Sequence, residues 1–161
     1  MRIGVISDTH GDTSSINRAI SVAGDIDHWL HAGDYCQDGY YLAKITGLPV
    51  TAVAGNCDRN MTGKVDEFIH VGGVDIWLTH GNRFQVKWDL EELAYWGRQY
   101  EAGIVVFGHT HVPYNSRHDG ILLFNPGSPS VPRGGYPPSF GIITIHPDKR
   151  IEADIISLYL Y

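Results

Sequence analysis

The chain has 161 residues, a formal net charge of −6 and 43% hydrophobic residues, so residues 1–161 are expected to form one domain with a real core. Its 12 Lys and Arg form no run, which argues against a nucleic-acid groove built on basic side chains. No apolar stretch nears the ~20 residues of a membrane span, and the opening Arg2–Ser7 is too short for a signal-peptide core, so a cytoplasmic protein is expected.

Arg2–Ser7 reads as a buried strand, short and β-branched. Asp12 or Thr13 can cap a helix that places Ile16, Ala19, Ile20 and Ala23 on one face. Strands follow at His28–Ala32 and Pro49–Ala54, with a helical piece around Tyr40–Ile45 between them. Alternating strands and helices imply a parallel sheet, whose functional edge lies at the carboxyl ends of the strands. Glu67–Val71 and Val74–Thr79 form a hairpin across Gly72-Gly73. A helix spans about Trp88–Ala102, with Leu90, Leu93, Ala94 and Gly97 on its inner face. A buried strand at Ile104–Phe107 precedes a β-rich end: Tyr114–Arg117, Ile121–Asn125, Phe140–His146 and Ile151–Leu158. Pro126–Gly141 holds five of the eight prolines and four glycines. A loop this long is either functional or a rigid surface excursion, and Asn125-Pro126-Gly127-Ser128 within it reads as a tight turn in preference to a pocket wall.

Five polar islands end apolar runs: Asp8-Thr9-His10, Gly33-Asp34, Gly55-Asn56, His80-Gly81 and Gly108-His109-Thr110-His111. They supply two carboxylates, one carboxamide and four imidazoles. In extended chain, side chains alternate with period two, so Asp8 and His10 are expected on one side, as are His109 and His111. An N/O donor set of seven, with no thiolate required, suits Mn2+, Fe2+, Co2+, Ni2+ or Zn2+ at five- or six-coordinate sites. It is too large for one ion and about right for two that share a carboxylate. His28, His70, His118 and His146 are left as ordinary packed or surface residues, and His31 is a candidate partner behind the ligands. Cys36 and Cys57 make no disulfide framework. If Asp34 and Asn56 share an ion, both thiols lie near it, where Cys57 is either acidified by the cations and prone to oxidation or simply an inert thiol.

The ordered islands resemble the signature of the calcineurin-like metallophosphoesterases. The short length, Gly55-Asn56-Cys57-Asp58 and Asn125-Pro126-Gly127-Ser128 resemble its small YfcE-type phosphodiesterase branch, which also contains the retromer scaffold subunit. The resemblance covers essentially the whole chain and implies an α/β fold: a four-layer α/β/β/α sandwich of two mixed sheets with metals at one edge. It implies one ion held by Asp8, His10, Asp34 and His111 and a second held by Asp34, Asn56, His80 and His109, with Asp34 bridging. Larger members place a His directly after the Asn, as general acid or phosphate contact; here Cys57 stands there. Many small relatives carry a second His where Asn82 stands, a change expected to touch only the outer shell.

The expected activity is metal-dependent hydrolysis of a small phosphate ester, most naturally a diester, by a hydroxide bridging two divalent ions, with Mn2+ placed first among the candidates. Asp34 and Asn56 anchor that chemistry, and Cys57, Asp58 and Arg59 are candidates to help the leaving group. Arg133 is either a phosphate contact or a solvated surface residue. The alternatives are a non-catalytic scaffold of the same fold, or a phosphomonoesterase or nuclease. Exposed Trp88 and Trp96 and the tail Leu158-Tyr159-Leu160-Tyr161 leave homo-oligomerisation open beside a docked last strand.

Overall fold

The computed structural model describes residues 1–58 and 63–159; Arg59 and the last two tail residues, Leu160 and Tyr161, lie outside them. The chain runs β1 (Arg2–Ile6), α1 (Thr13–Ala23), β2 (His28–His31), α2 (Gln37–Thr46), β3 (Val50–Ala52), β4 (Asp66–Val71), β5 (Val74–Thr79), α3 (Glu91–Gln99), β6 (Ile104–Val106), β7 (Tyr114–His118), β8 (Ile121–Asn125), β9 (Ser139–Ile145) and β10 (Ile151–Ser157), with a short helical turn Asn82–Phe84 before α3.

Two five-stranded sheets form, in the orders β10-β9-β1-β2-β3 and β4-β5-β6-β8-β7. Each has three parallel strands (β1, β2, β3 and β5, β6, β8); β9 and β10 add antiparallel on the β1 side of the first, and β4 and β7 add antiparallel on either flank of the second, so both sheets are mixed. Period-two alternation explains the layering. Ile3 and Val5 of β1, Ile76 and Leu78 of β5, and Leu122 and Phe124 of β8 meet between the sheets. The intervening residues point outward: Ile6 and Trp29 under α1 and α2, and Trp77, Val105 and Leu123 under α3. Three apolar interlayers thus hold the four-layer α/β/β/α sandwich. Each fully buried large side chain contributes about 1.5–3 kcal/mol.

Local signals explain the element ends. Asp12 caps α1, its carboxylate accepting from the Ser14 and Ser15 N–H groups. Gly72 and Gly73 both take positive φ, 59° and 78°, which a two-residue turn matched to the strand twist requires. The Trp88–Ala102 expectation was too long: α3 begins at Glu91, because Gln85 turns left-handed at φ 53° and folds 85–89 into a separate turn that leaves Trp88 outside the helix. Leu158 is buried and its N–H donates to the Pro138 carbonyl, so the last strand docks. Among the described residues, no helix is long and apolar enough to cross a membrane.

Candidate metal centre

All five islands follow the carboxyl ends of parallel strands: Asp8 after β1, Asp34 after β2, Asn56 after β3, His80 after β5 and His109 after β6. Backbone bonds bring the two sheets' ends to one edge. Asp8 N–H donates to the Gly33 carbonyl at 2.9 Å and Gly108 N–H to the His80 carbonyl at 3.0 Å, while His109 N–H donates across the sheets to Asp8 Oδ2 at 3.1 Å.

Strand alternation is not what aligns the ligands. Asp8, His10, Asp34, His109 and His111 have positive φ, from 49° to 69°, so each pair sits on a coiled turn just past its strand. A non-glycine residue there costs on the order of 1 kcal/mol, and such residues cluster at functional sites. Two glycines make the room. A Cβ on Gly55 would collide with Asp34 Oδ1, and one on Gly108 would collide with Ser7 Oγ and come within 2.7 Å of Asp8 Oδ2.

Donor atoms of Asp8, His10, Asp34 and His111 all lie within 4.8 Å of one another, matching the first ligand set that the resemblance implies. The other three, Asn56, His80 and His109, converge beside them. His80 Nε2 is 3.0 Å from Asn56 Oδ1, 3.4 Å from Asp34 Oδ1 and 3.8 Å from Asp8 Oδ1, and its ring meets that of His109 edge-on at 5.1 Å. Asp34 touches both groups, lying 3.8 Å from His10 Nε2 through its other oxygen.

The donors fit metal ions. His80 Nδ1 donates to the Ala32 carbonyl at 2.7 Å and His111 Nδ1 to the Val131 carbonyl at 2.6 Å. In the neutral rings both Nε2 lone pairs therefore face inward, as second-shell carbonyls arrange them in metal sites. His80 then aims its lone pair at three oxygens, and Asp8 Oδ1 and His10 Nε2 are buried with no hydrogen-bond partner. Lone pair against lone pair is stable only with a cation between them.

A proton can take part of that role. Burial works to lower the His80 pKa, but the Asp34 hydrogen bond and the Asp8 and Asp34 charges outweigh it and hold the ring above its ordinary 6.5. Asp34, which burial alone would raise, is kept well below the carboxylate range by His80 and the Cys57 N–H. Burial, with His80 and Lys87, brings His109 down to about 4. The raised His80 value stabilises metal-free protein fully below the ordinary pKa, and that contribution is lost as pH rises through the folded one. A divalent cation replaces the proton. The rise in thermal midpoint on adding Mn2+ to chelator-stripped protein is therefore expected to be small near about pH 5 and several-fold larger near about pH 8; a rise that shrinks with pH would contradict this.

The side chains bracing the site were mostly missed from sequence. Beneath Asp8-Thr9-His10, buried His31 receives the Gly33 N–H at 3.2 Å and so donates from Nε2 to Thr9 Oγ1 at 2.8 Å. Thr9 passes its own proton to Asp38 Oδ2 at 2.6 Å, which also accepts the Gly11 N–H. Burial holds His31 neutral by lowering its pKa. The 126–138 segment is a strap, neither a surface excursion nor a simple tight turn. Ser128 Oγ donates to the Asp8 carbonyl at 2.9 Å, Ser130 Oγ reaches the Asp8 and Thr9 carbonyls, and Asn125 Nδ2 donates to the Gly108 carbonyl and to Thr110 Oγ1. The Asn-Pro-Gly-Ser run was the available signal.

Asp58, a candidate leaving-group helper, has both carboxylate oxygens engaged by backbone: Oδ1 accepts the Cys36 N–H at 2.9 Å and Oδ2 the Gly55 N–H at 2.7 Å. It ties the Asn56 turn to the Asp34 turn. Cys57 donates its N–H to Asp34 Oδ1 at 2.9 Å, and its thiol is exposed. In the metal-free site that thiol is pushed up by burial of its inner face and by Asp34, not down as cations would drive it, and burial and Asp58 push Cys36 to about 11. His28, His70 and His118 find hydrogen-bond partners outside the centre in Thr51, Asp75 and Tyr114, and His146 Nε2 lies 3.3 Å from Glu152, also away from it.

Residues 1–148 match the family described as the calcineurin-like phosphoesterase superfamily domain. The chain is similar to a probable metallophosphoesterase of Methanothermobacter thermautotrophicus, 35% identical over 97% of this chain and 92% of that one. It is similar to the phosphodiesterase YfcE of Escherichia coli K12, 29% identical over 89% of this chain and 87% of that one. A predicted phosphoesterase of Streptococcus pneumoniae TIGR4, known from its crystal structure, superposes with a TM-score of 0.83 at 29% identity, covering 98% of this chain and 89% of that one.

Proposed function

Because the chain belongs to the calcineurin-like phosphoesterase superfamily, we propose that it is a two-metal phosphodiesterase acting on a small phosphate ester. One ion is held by Asp8, His10, Asp34 and His111. The second is held by Asp34, Asn56, His80 and His109, and Asp34 is shared. The observation that carries the reading is the inward set of donors that a proton on His80 satisfies only in part: the unpartnered Asp8 Oδ1 and His10 Nε2 beside the His80 Nε2 that faces three oxygens. When bound, the ions supply Lewis-acid charge and activated water for attack at phosphorus. Donors of nitrogen and oxygen alone suit Mn2+, Ni2+, Fe2+, Co2+ or Zn2+, and we place Mn2+ first, availability rather than ligand type deciding among them.

The chain's own residues set the geometry. The Ala32 and Val131 carbonyls fix the His80 and His111 tautomers. The Cys57 N–H fixes Asp34, and the Asp58 brace fixes the Asn56 turn, which makes Asp58 a positioning residue. Cys57 stands where larger members of the family place an imidazole acid, and an ordinary thiol is a weaker acid than an imidazolium. Protonation of the leaving group is therefore weak, and a diester with a good leaving group is handled best; the similarity to a named phosphodiesterase points the same way. We read residues 1–161 as one such domain, and two free thiols suit a reducing cytoplasm.

The test is hydrolysis of bis-p-nitrophenyl phosphate and of the p-nitrophenyl monoester by chelator-stripped protein with and without Mn2+. Turnover that needs the metal and prefers the diester is expected. Folded protein that turns over neither ester with any divalent cation would overturn the reading in favour of a binding scaffold.

A further inference from the structure

Beside the metal centre lies a cavity of about 510 Å3 that the proposed chemistry does not use. Its lining includes Thr110, between His109 and His111, and its size is that of a small-ligand site. Phe107, Val112, Tyr114 and Trp88 line it together with Lys87 and Arg133. The pair of cations is notable in a chain of net charge −6. Arg133 is held to the metal-ligand turn, its N–H donating to the His111 carbonyl at 3.2 Å.

The polar atoms that line the cavity are largely engaged elsewhere. The Tyr114 hydroxyl bonds His118 Nε2 at 2.6 Å. Thr110 Oγ1 donates to the Val112 carbonyl and accepts from Asn125. Asp89 Oδ1 accepts the Glu91 N–H at the start of α3. What remains to greet a ligand is carbon, ring faces, two positive charges and the second oxygen of the Asp89 carboxylate. A bare sugar or glycerol would find few hydrogen-bond partners there; a flat aromatic group would find walls. Trp88 is 86% exposed and has no aromatic partner among the described residues, whereas Trp29 and Trp77 are buried. The turn that carries it is fixed by the Trp88 and Asp89 N–H groups donating to the Gln85 carbonyl, so its backbone is held in place.

We propose that this cavity is the specificity subsite for the organic part of the substrate, and that it takes a planar aromatic ring system, an aryl or nucleoside group, stacked on Trp88 while Lys87 and Arg133 draw the phosphate towards the metal centre. The inference rests on the phosphodiesterase reading. An aromatic ring laid on an indole contributes enough to tighten binding by about tenfold or more.

The test is calorimetric titration of Mn2+-loaded protein with methylphosphonate, phenylphosphonate and adenosine 5′-thiomonophosphate, none of which requires turnover to be read. Phenylphosphonate is expected to bind about tenfold more tightly than methylphosphonate. A matching gain for the nucleotide identifies a nucleoside as the group held; a gain for the phenyl probe alone identifies an aryl ester. Trp88→Ala should bring the phenyl and methyl affinities close together, while Trp96→Ala, on the outer side of α3, should leave their ratio as it is. Equal affinities in the unsubstituted protein, or a ratio unmoved by Trp88→Ala, would overturn the subsite with the phosphodiesterase reading intact. Failure of all three to bind Mn2+-loaded protein would overturn both.

Discussion

Asp34→Asn is expected to lower kcat/KM for bis-p-nitrophenyl phosphate by roughly 10³-fold, about 4 kcal/mol of transition-state stabilisation. The replacement keeps the side chain's volume and an oxygen for the Cys57 N–H, so the protein should fold. It removes the charge that faces His10 at 3.8 Å on one side and His80 at 3.4 Å on the other. Asp8 also faces both groups, His111 at 3.2 Å and His80 at 3.8 Å, but through the single oxygen Oδ1, its Oδ2 being engaged by Ser7 Oγ and the His109 N–H, whereas Asp34 reaches the two groups through different oxygens. Metal content measured beside activity should fall from two ions towards one per chain. Activity and stoichiometry both near those of the unsubstituted protein would remove Asp34 from the bridging role.

Ser128→Ala acts without touching an ion. Its hydroxyl donates to the Asp8 carbonyl and accepts the Val131 N–H at 2.8 Å, and Val131 in turn presents the carbonyl that orients His111. Removing one oxygen atom therefore loosens two ligands on different sheets. Partners of this kind are worth about 10–100-fold in metal affinity or activity, and a buried N–H left without an acceptor costs about 1–3 kcal/mol. Mn2+ titration should show affinity weakened in that range, with a lower thermal midpoint that saturating metal partly restores. Unchanged affinity would make the strap an ordinary loop.

The sequence carried the ligands and the layers more clearly than the supports. Near-continuous apolar runs, such as Val74 to Thr79 and Ile121 to Asn125, mark strands buried on both faces, and the glycine-flanked polar residues after them mark the functional edge. Asp8, His10, Asp34 and His111 converge as expected, but by left-handed turns that residue type alone does not encode. The bracing groups were harder to see because Thr9, Asp38, Asn125 and Ser128 become functional only through partners up to 120 residues away. Asp58 shows the opposite failure: nearness in sequence to Asn56 suggested chemistry, while its two oxygens are engaged by backbone. The extent of α3 was misjudged because amphipathic spacing continues through Trp88 and Leu90, where the chain has already turned at Gln85.

The donors are split between the sheets. Asp8, His10, Asp34 and Asn56 extend from one sheet, and His80, His109 and His111 from the other. Neither sheet alone carries a complete set for either of the two proposed ions, so an ion bound there would be a rivet through the seam of the sandwich. Sliding one sheet past the other by a fraction of an ångström would change the spacing of the proposed ions before it exposed any apolar surface. On the proposed reading, the packing of Ile3, Leu30, Ile76 and Val106 between the sheets would set the ruler for the reaction. Substitutions in that distant seam should register as altered catalysis while the protein is still fully folded.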